Sequence, residues 1–210
     1  DEEREFVSNF EGRPIPFVER ISELHFLQDA ANAIQSTGGI SVVEVLGLAG
    51  SGKSRLIQEF RSSRRESTQL CIQPQQGMAN PMANLRGALD SLLTGHFGST
   101  EQALDLLLME TQGLEQTLLD ASRETLRRFF SGERVAPLDE REWENQRKLL
   151  FFSLARLFGA LTQEHPCILI INEARDASEP MRQLVAYLSE QGNAPRGLLI
   201  VLEIETTADS

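Results

Sequence analysis

One run of eight residues, Gly47-Leu48-Ala49-Gly50-Ser51-Gly52-Lys53-Ser54, constrains this chain more than anything else in it. It fits the phosphate-binding pattern G-x-x-x-x-G-K-[ST], the P-loop, at every required position. Glycines suit such a loop because they adopt φ > 0 and carry no side chain to block a close approach. Successive backbone N–H groups can then converge on an anion. The pattern assigns Lys53 to the terminal phosphates and the Ser54 hydroxyl to Mg²⁺. The helix that follows offers its N-terminus to the same charge. The expected nucleotide contacts are therefore Gly47, Ala49, Gly50, Ser51, Gly52, Lys53, Ser54 and the adjacent Arg55.

A pattern this short occurs by chance, so its flanks decide the matter. Upstream, Ile40-Ser41-Val42-Val43-Glu44-Val45-Leu46 is a β-branched run that reads as a buried strand. Downstream, Leu56, Ile57 and Phe60 fall on one helical face. The strand–loop–helix that the motif requires is present.

The 210 residues suffice for one domain with a sizeable core and an insertion. A net charge of −11 disfavours direct nucleic-acid binding, since phosphate backbones attract basic surfaces. No apolar run approaches the ~20 residues of a membrane span, and no signal peptide opens the chain. Cys71 and Cys167 both sit in apolar, strand-like surroundings, which reads as reduced thiols in a cytoplasmic protein.

The remaining elements alternate. Residues 1–16 end in Arg13-Pro14-Ile15-Pro16, an extended segment by its proline spacing. A helix on Ile21, Leu24, Leu27, Ala31 and Ile34 follows and ends at Gly38-Gly39. After the P-loop helix, Arg61 to Ser67 reads as loop and Leu70-Cys71-Ile72 as a short strand. Asn80-Pro81 opens a helix carrying Leu85, Leu89 and Leu93, which Thr94 to Gly98 interrupts. Residues 99–163 are mostly helical, on stripes of Leu and Phe that serve as core. Pro166-Cys167-Ile168-Leu169-Ile170-Ile171 is a third buried strand, Glu179 to Glu190 a helix, and Leu198 to Leu202 a fourth strand. Alternating strands and helices predict an α/β fold with a mostly parallel sheet sandwiched by helices. The expectation is one nucleotide-binding domain over 1–210. It divides into an adenine-side segment and helix (1–39), the P-loop strand, helix and second strand (40–98), a helical insertion (99–163) and the last two strands (164–210).

P-loop ATPases also need an acidic group at the tip of a strand parallel to the P-loop strand, holding Mg²⁺ beside an acid that activates water. Here the tip reads Asn172-Glu173. Glu173 is the candidate general base. Asn172 stands at the metal position, where its amide offers a carbonyl oxygen but no negative charge for a hard cation.

With these residues in hand, the chain resembles the nucleotide-binding domain of AAA+-like, origin-recognition-complex-like signal-transduction ATPases, closest to the cyclase-linked members. Three boxes carry the resemblance. Pro16-Phe17-Val18-Glu19-Arg20 with Glu23-Leu24 is similar to the P-F-V-G-R-x-x-E-L box that lies against the adenine, which implies nucleotide contacts for Phe17 and Val18. Val42 to Leu56 is similar to the family's P-loop, and Pro166 to Ser178 to its P-strand-D-D-L-H-W-A-D segment. Glu19 departs from the Gly of the first box, and Asn172-Glu173 from the two Asp of the third. Glu203 and Glu205 stand near the position of a polar or Arg sensor, where they would repel a phosphate. The family's strand order implies that the P-loop strand lies beside the fourth strand and leaves a sheet edge once a fifth strand and a helical lid are absent. That suggests a fragment of a longer protein, or an edge covered by another chain or by the N-terminal segment.

The resemblance implies ATP or ADP with Mg²⁺ as cofactors, and attached or partner signalling domains. The leading reading is a regulatory nucleotide-binding module with weak hydrolysis. The alternatives are an active ATPase using Glu173, and an interaction domain with a vestigial P-loop.

Overall fold

The computed structural model describes residues 9–10, 13–14, 20–74, 82–109, 115–133, 139–163, 165–190, 192 and 195–207. A short antiparallel pair, β1 (Asn9–Phe10) and β2 (Arg13–Pro14), precedes helix α1 (Ile21–Thr37). The P-loop unit is β3 (Ile40–Gly47) and α2 (Lys53–Ser63), followed by β4 (Thr68–Ile72). Four helices come next: α3 (Ala83–Phe97), α4 (Thr100–Met109), α5 (Gln116–Ser131) and α6 (Glu140–Leu161). The chain then forms β5 (Cys167–Ile171), a 3₁₀ turn at Ala174–Asp176, α7 (Glu179–Ser189) and β6 (Leu198–Glu205).

β3 to β6 form one parallel sheet in the order β3-β6-β5-β4. Alternation within each strand divides the core into two layers, as side chains on a pleated strand must. Val43, Val45, Ile168, Ile170, Leu199 and Val201 face α1 and α2, where Leu27, Leu56 and Phe60 meet them. Leu70, Ile72, Cys167, Leu169, Ile171, Leu198 and Ile200 face the other side, against Leu85, Leu89, Leu154, Phe158 and Leu184 of the later helices. β5 is buried at every position, which is why it reads as an unbroken apolar run. The expected helix-sandwiched α/β fold is the one found.

β3 lies at the edge of the sheet as described, beside β6, in the place the strand order implied. Its two faces are covered unequally: Val43 and Val45 are buried on the α1–α2 side, while on the other side Ile40 is partly covered by the later helices and Val42 and Leu46 are exposed. Its outer side presents ladder groups that no described strand pairs. Cys71 and Cys167 lie in the two different core layers, on opposite faces of the sheet, and form no disulfide.

Boundaries differ from the sequence reading in several places, with β4 starting at Thr68 and β3 ending at Gly47, and three have a clear local reason. α2 runs on to Ser63 rather than yielding to a loop at Arg61, because Phe60 is anchored in the core and the Ser63 hydroxyl donates to its carbonyl at 2.7 Å. α3 continues through Thr94 to Phe97, held by buried Leu93 and closed by Gly98 at φ +82. β6 extends past Leu202 to Glu205, because β3 supplies a partner as far as Gly47. The expectations for Asn80-Pro81 and Leu114 lie outside the described residues.

Candidate functional site

β3 stops at Gly47 and α2 starts at Lys53, so the loop between them is short and tightly turned. Gly50 (φ +70) and Gly52 (φ +85) supply the left-handed conformations. Gly47 serves a different need. A Cβ there would lie 2.6 Å from Ser51 Oγ and 3.5 Å from the Lys53 side chain. Lys53 is only 6% exposed, and its Nζ donates to the carbonyls of Gly47 at 2.9 Å and Leu48 at 2.8 Å. These bonds curl the ammonium into the loop.

Two features of this loop suit an anion. α2 has no side-chain cap at its N-terminus and no acid in its first turn. A lysine at that end sets a cation against the positive pole of the helix, an arrangement that bound negative charge relieves. Ser51 Oγ is also buried without a hydrogen-bond partner among the described residues. The residues therefore fit the polyphosphate of a nucleotide.

The opposite wall comes from the ends of β5 and β6. Past Ile171, the Asn172 backbone N–H donates to Ile72 O at 2.9 Å, and its half-buried side chain is not among the cleft-lining groups. Glu173 follows at φ +47, ψ 48, the one non-glycine residue with positive φ among those described. Its carbonyl accepts from Asp176 N–H at 2.8 Å, closing the turn that carries Arg175 and Asp176. On β6, Glu203 has the same parity as Leu199 and Val201, so it faces α2. It is 7% exposed, and its Oε1 accepts from the Ser54 hydroxyl at 2.6 Å.

Together these groups line a cleft of about 650 Å³. Gly50, Gly52, Lys53, Ser54 and Arg55 form one side; Glu173, Arg175, Asp176, Glu203, Glu205 and Thr207 form the other. Arg55 also pairs with Glu59, one turn further along α2, at 2.7 Å. Among the described residues no group of three or more His, Cys, Asp or Glu is arranged to hold a metal by itself. A cation here would have to share its coordination with phosphate oxygens, the usual habit of Mg²⁺.

The structure thus brings Gly50, Gly52, Lys53, Ser54, Arg55 and Glu173 to one cleft. Gly47 and Ser51 support the loop from behind, and Ala49 is exposed at its tip. Phe17 and Val18 lie outside the described residues. Asn172 stands beside the cleft rather than in its lining. The sequence reading missed Arg175, Asp176 and Thr207, whose placement depends on the turn after β5 and the exit from β6. It also misjudged Glu203. That residue is a member of the strand rather than a group beyond it, and it is tied to Ser54. Continuing the alternation of Leu199 and Val201 by one step would have placed it on the α2 face.

The family model of the AAA ATPase domain matches residues 16–201, most of the chain. A four-stranded parallel sheet between helices, with a glycine-rich loop joining β3 to α2, is the frame of a P-loop NTPase. The chain belongs to the AAA ATPase domain family. No curated protein matches it. No helix among the described residues is long and apolar enough to cross a membrane.

Proposed function

We propose that the chain is the ATP- or ADP-binding regulatory module of a signal-transduction ATPase, of the origin-recognition-complex-like, cyclase-linked kind, with weak hydrolysis. The observation that carries this reading is the contrast between the two walls of the cleft. The P-loop wall has its glycines, its buried lysine and an uncapped helix N-terminus, everything that α- and β-phosphates require. Across the cleft, position 172 offers an amide set beside the lining in place of an acid, and carboxylates stand where a γ-phosphate sensor would. Gly47 to Arg55 would hold the phosphates, and Phe17 and Val18 the adenine side. Mg²⁺, when bound, would neutralise the phosphate charge next to Ser54. Nucleotide identity then biases how attached or partner domains sit against this one, and the edge of β3, which no described strand pairs, is the surface offered to them or to a second copy. The reading takes 1–210 as one nucleotide-binding unit of a cytoplasmic protein, with 99–163 as its helical insertion.

One observation favours residual turnover: Glu173 is exposed, lines the cleft and is aligned by the strained turn that follows β5. It would act as general base toward a water at the γ-phosphate. Phosphate release from ATP by the purified protein tests this. Glu173→Gln should abolish whatever release is seen. Asn172→Asp should raise it about tenfold, a barrier change of about 1.4 kcal/mol, by restoring charge at the tip of β5. A rate that neither substitution changes would contradict both assignments.

A further inference from the structure

The Ser54–Glu203 pair gives the cleft a buried carboxylate, where position 172 at the tip of β5 carries an amide. Ser54 is the hydroxyl at the start of α2, and Glu203 Oε1 accepts its proton at 2.6 Å. Glu203 is nine-tenths buried and shares the cleft with Lys53 and Ser54. No ion pair among the described residues involves it. A carboxylate withdrawn this far from water is costly to keep charged unless donors or a cation compensate. One neutral hydroxyl satisfies only a part of its roughly four acceptor positions. Register explains its location: β6 pairs Leu202 with the last residue of β5 and Val45 of β3 with Glu203. Glu203 is therefore the first β6 residue past the end of β5, beside the P-loop strand.

We infer that Glu203, from β6, supplies the negative charge that holds the divalent cation of this site, acting through Ser54 in place of an acid at position 172. The inference rests on the nucleotide-binding reading above. With its hydrogen committed to Glu203, the Ser54 oxygen keeps its lone pairs for a cation, and the neighbouring carboxylate raises its strength as a ligand. A serine oxygen, phosphate oxygens and water make up a donor set that Mg²⁺ accepts, with the Glu203 charge directly behind the serine. The same charge opposes phosphates that arrive without a cation. Glu203 thereby couples the two ligands, so that cation and nucleotide each raise the affinity of the other by the same factor.

The test is calorimetric titration of ADP into the whole chain, with Mg²⁺ or with EDTA, in the unsubstituted protein and in Glu203→Gln. Mn²⁺ affinity of each ADP complex is read separately by electron paramagnetic resonance. Mg²⁺ should tighten ADP binding about tenfold or more in the unsubstituted protein. Glu203→Gln should shrink that gain to less than about threefold and weaken Mn²⁺ about 10–100-fold, while metal-free ADP binds as well or better. Glu203→Asp keeps the charge but withdraws it from Ser54. It should also lose most of the gain, and it serves if the amide variant does not fold. A Mg²⁺ gain that survives both substitutions overturns the inference and leaves nucleotide binding standing. ADP that binds under neither condition overturns the functional reading as well.

Discussion

Glu173 occupies a backbone conformation that L-residues other than Asn and Asp seldom take, and it does so at the mouth of the cleft. Strain of this kind costs of order 1 kcal/mol and persists where the surrounding turn over-determines it. Here the Asp176 N–H to Glu173 carbonyl bond and the end of β5 hold it. Glu173→Gly should therefore stabilise the fold by about 0.5–1 kcal/mol in urea unfolding, even as it removes the candidate base. A loss of stability would show that the glutamate side chain makes a contact worth more than the strain. At this scale the sequence was legible where a residue pattern and its flanks agree: the glycines and lysine of the P-loop stand between an apolar strand and an amphipathic helix, as the motif requires. Glu203 was harder. A carboxylate near a phosphate site reads as repulsion until the strand register shows it facing a serine hydroxyl.

At the scale of elements, the apolar pattern carried most of the information. β5 has no polar position, and only a strand covered on both faces tolerates that. Its first residue shows the consequence. Burial pushes the Cys167 thiol from 9.0 up to about 12. The unfolded chain releases that proton above the lower value while the folded chain retains it. Stability must then fall as pH rises through this window, by up to about 1.4 kcal/mol per unit. Urea unfolding from about pH 8 to pH 10 should show the decline in the unsubstituted protein and a shallower one in Cys167→Ala. Equal slopes would place the titration elsewhere. Helix ends were less legible, because α2 and α3 stop where a core contact or a left-handed glycine stops them rather than where polarity begins. The last turns of β6 were hidden for the same reason. Their ladder is dictated by β3, and nothing in Glu203-Ile204-Glu205 announces it.

Over the whole molecule, the two core layers fix the sheet between α1–α2 and the later helices, and the sheet fixes the cleft. Every wall of the cleft sits at the C-terminal ends of parallel strands, where β3, β5 and β6 deliver their loops to the N-terminus of α2. That convergence makes one claim central: the cleft binds nucleotide through Lys53. Truncating this side chain removes its bonds to the Gly47 and Leu48 carbonyls but also a buried cation at a helix N-terminus, so the fold should survive. The direct measurement is calorimetric titration of the purified chain with ADP and ATP in the presence of Mg²⁺, alongside Lys53→Ala checked for folding by circular dichroism. The account predicts a dissociation constant on the order of micromolar or tighter, weakened at least about 100-fold, or 2.7 kcal/mol, in Lys53→Ala. Absence of binding with Lys53 intact, or binding that the substitution leaves unchanged, would contradict it.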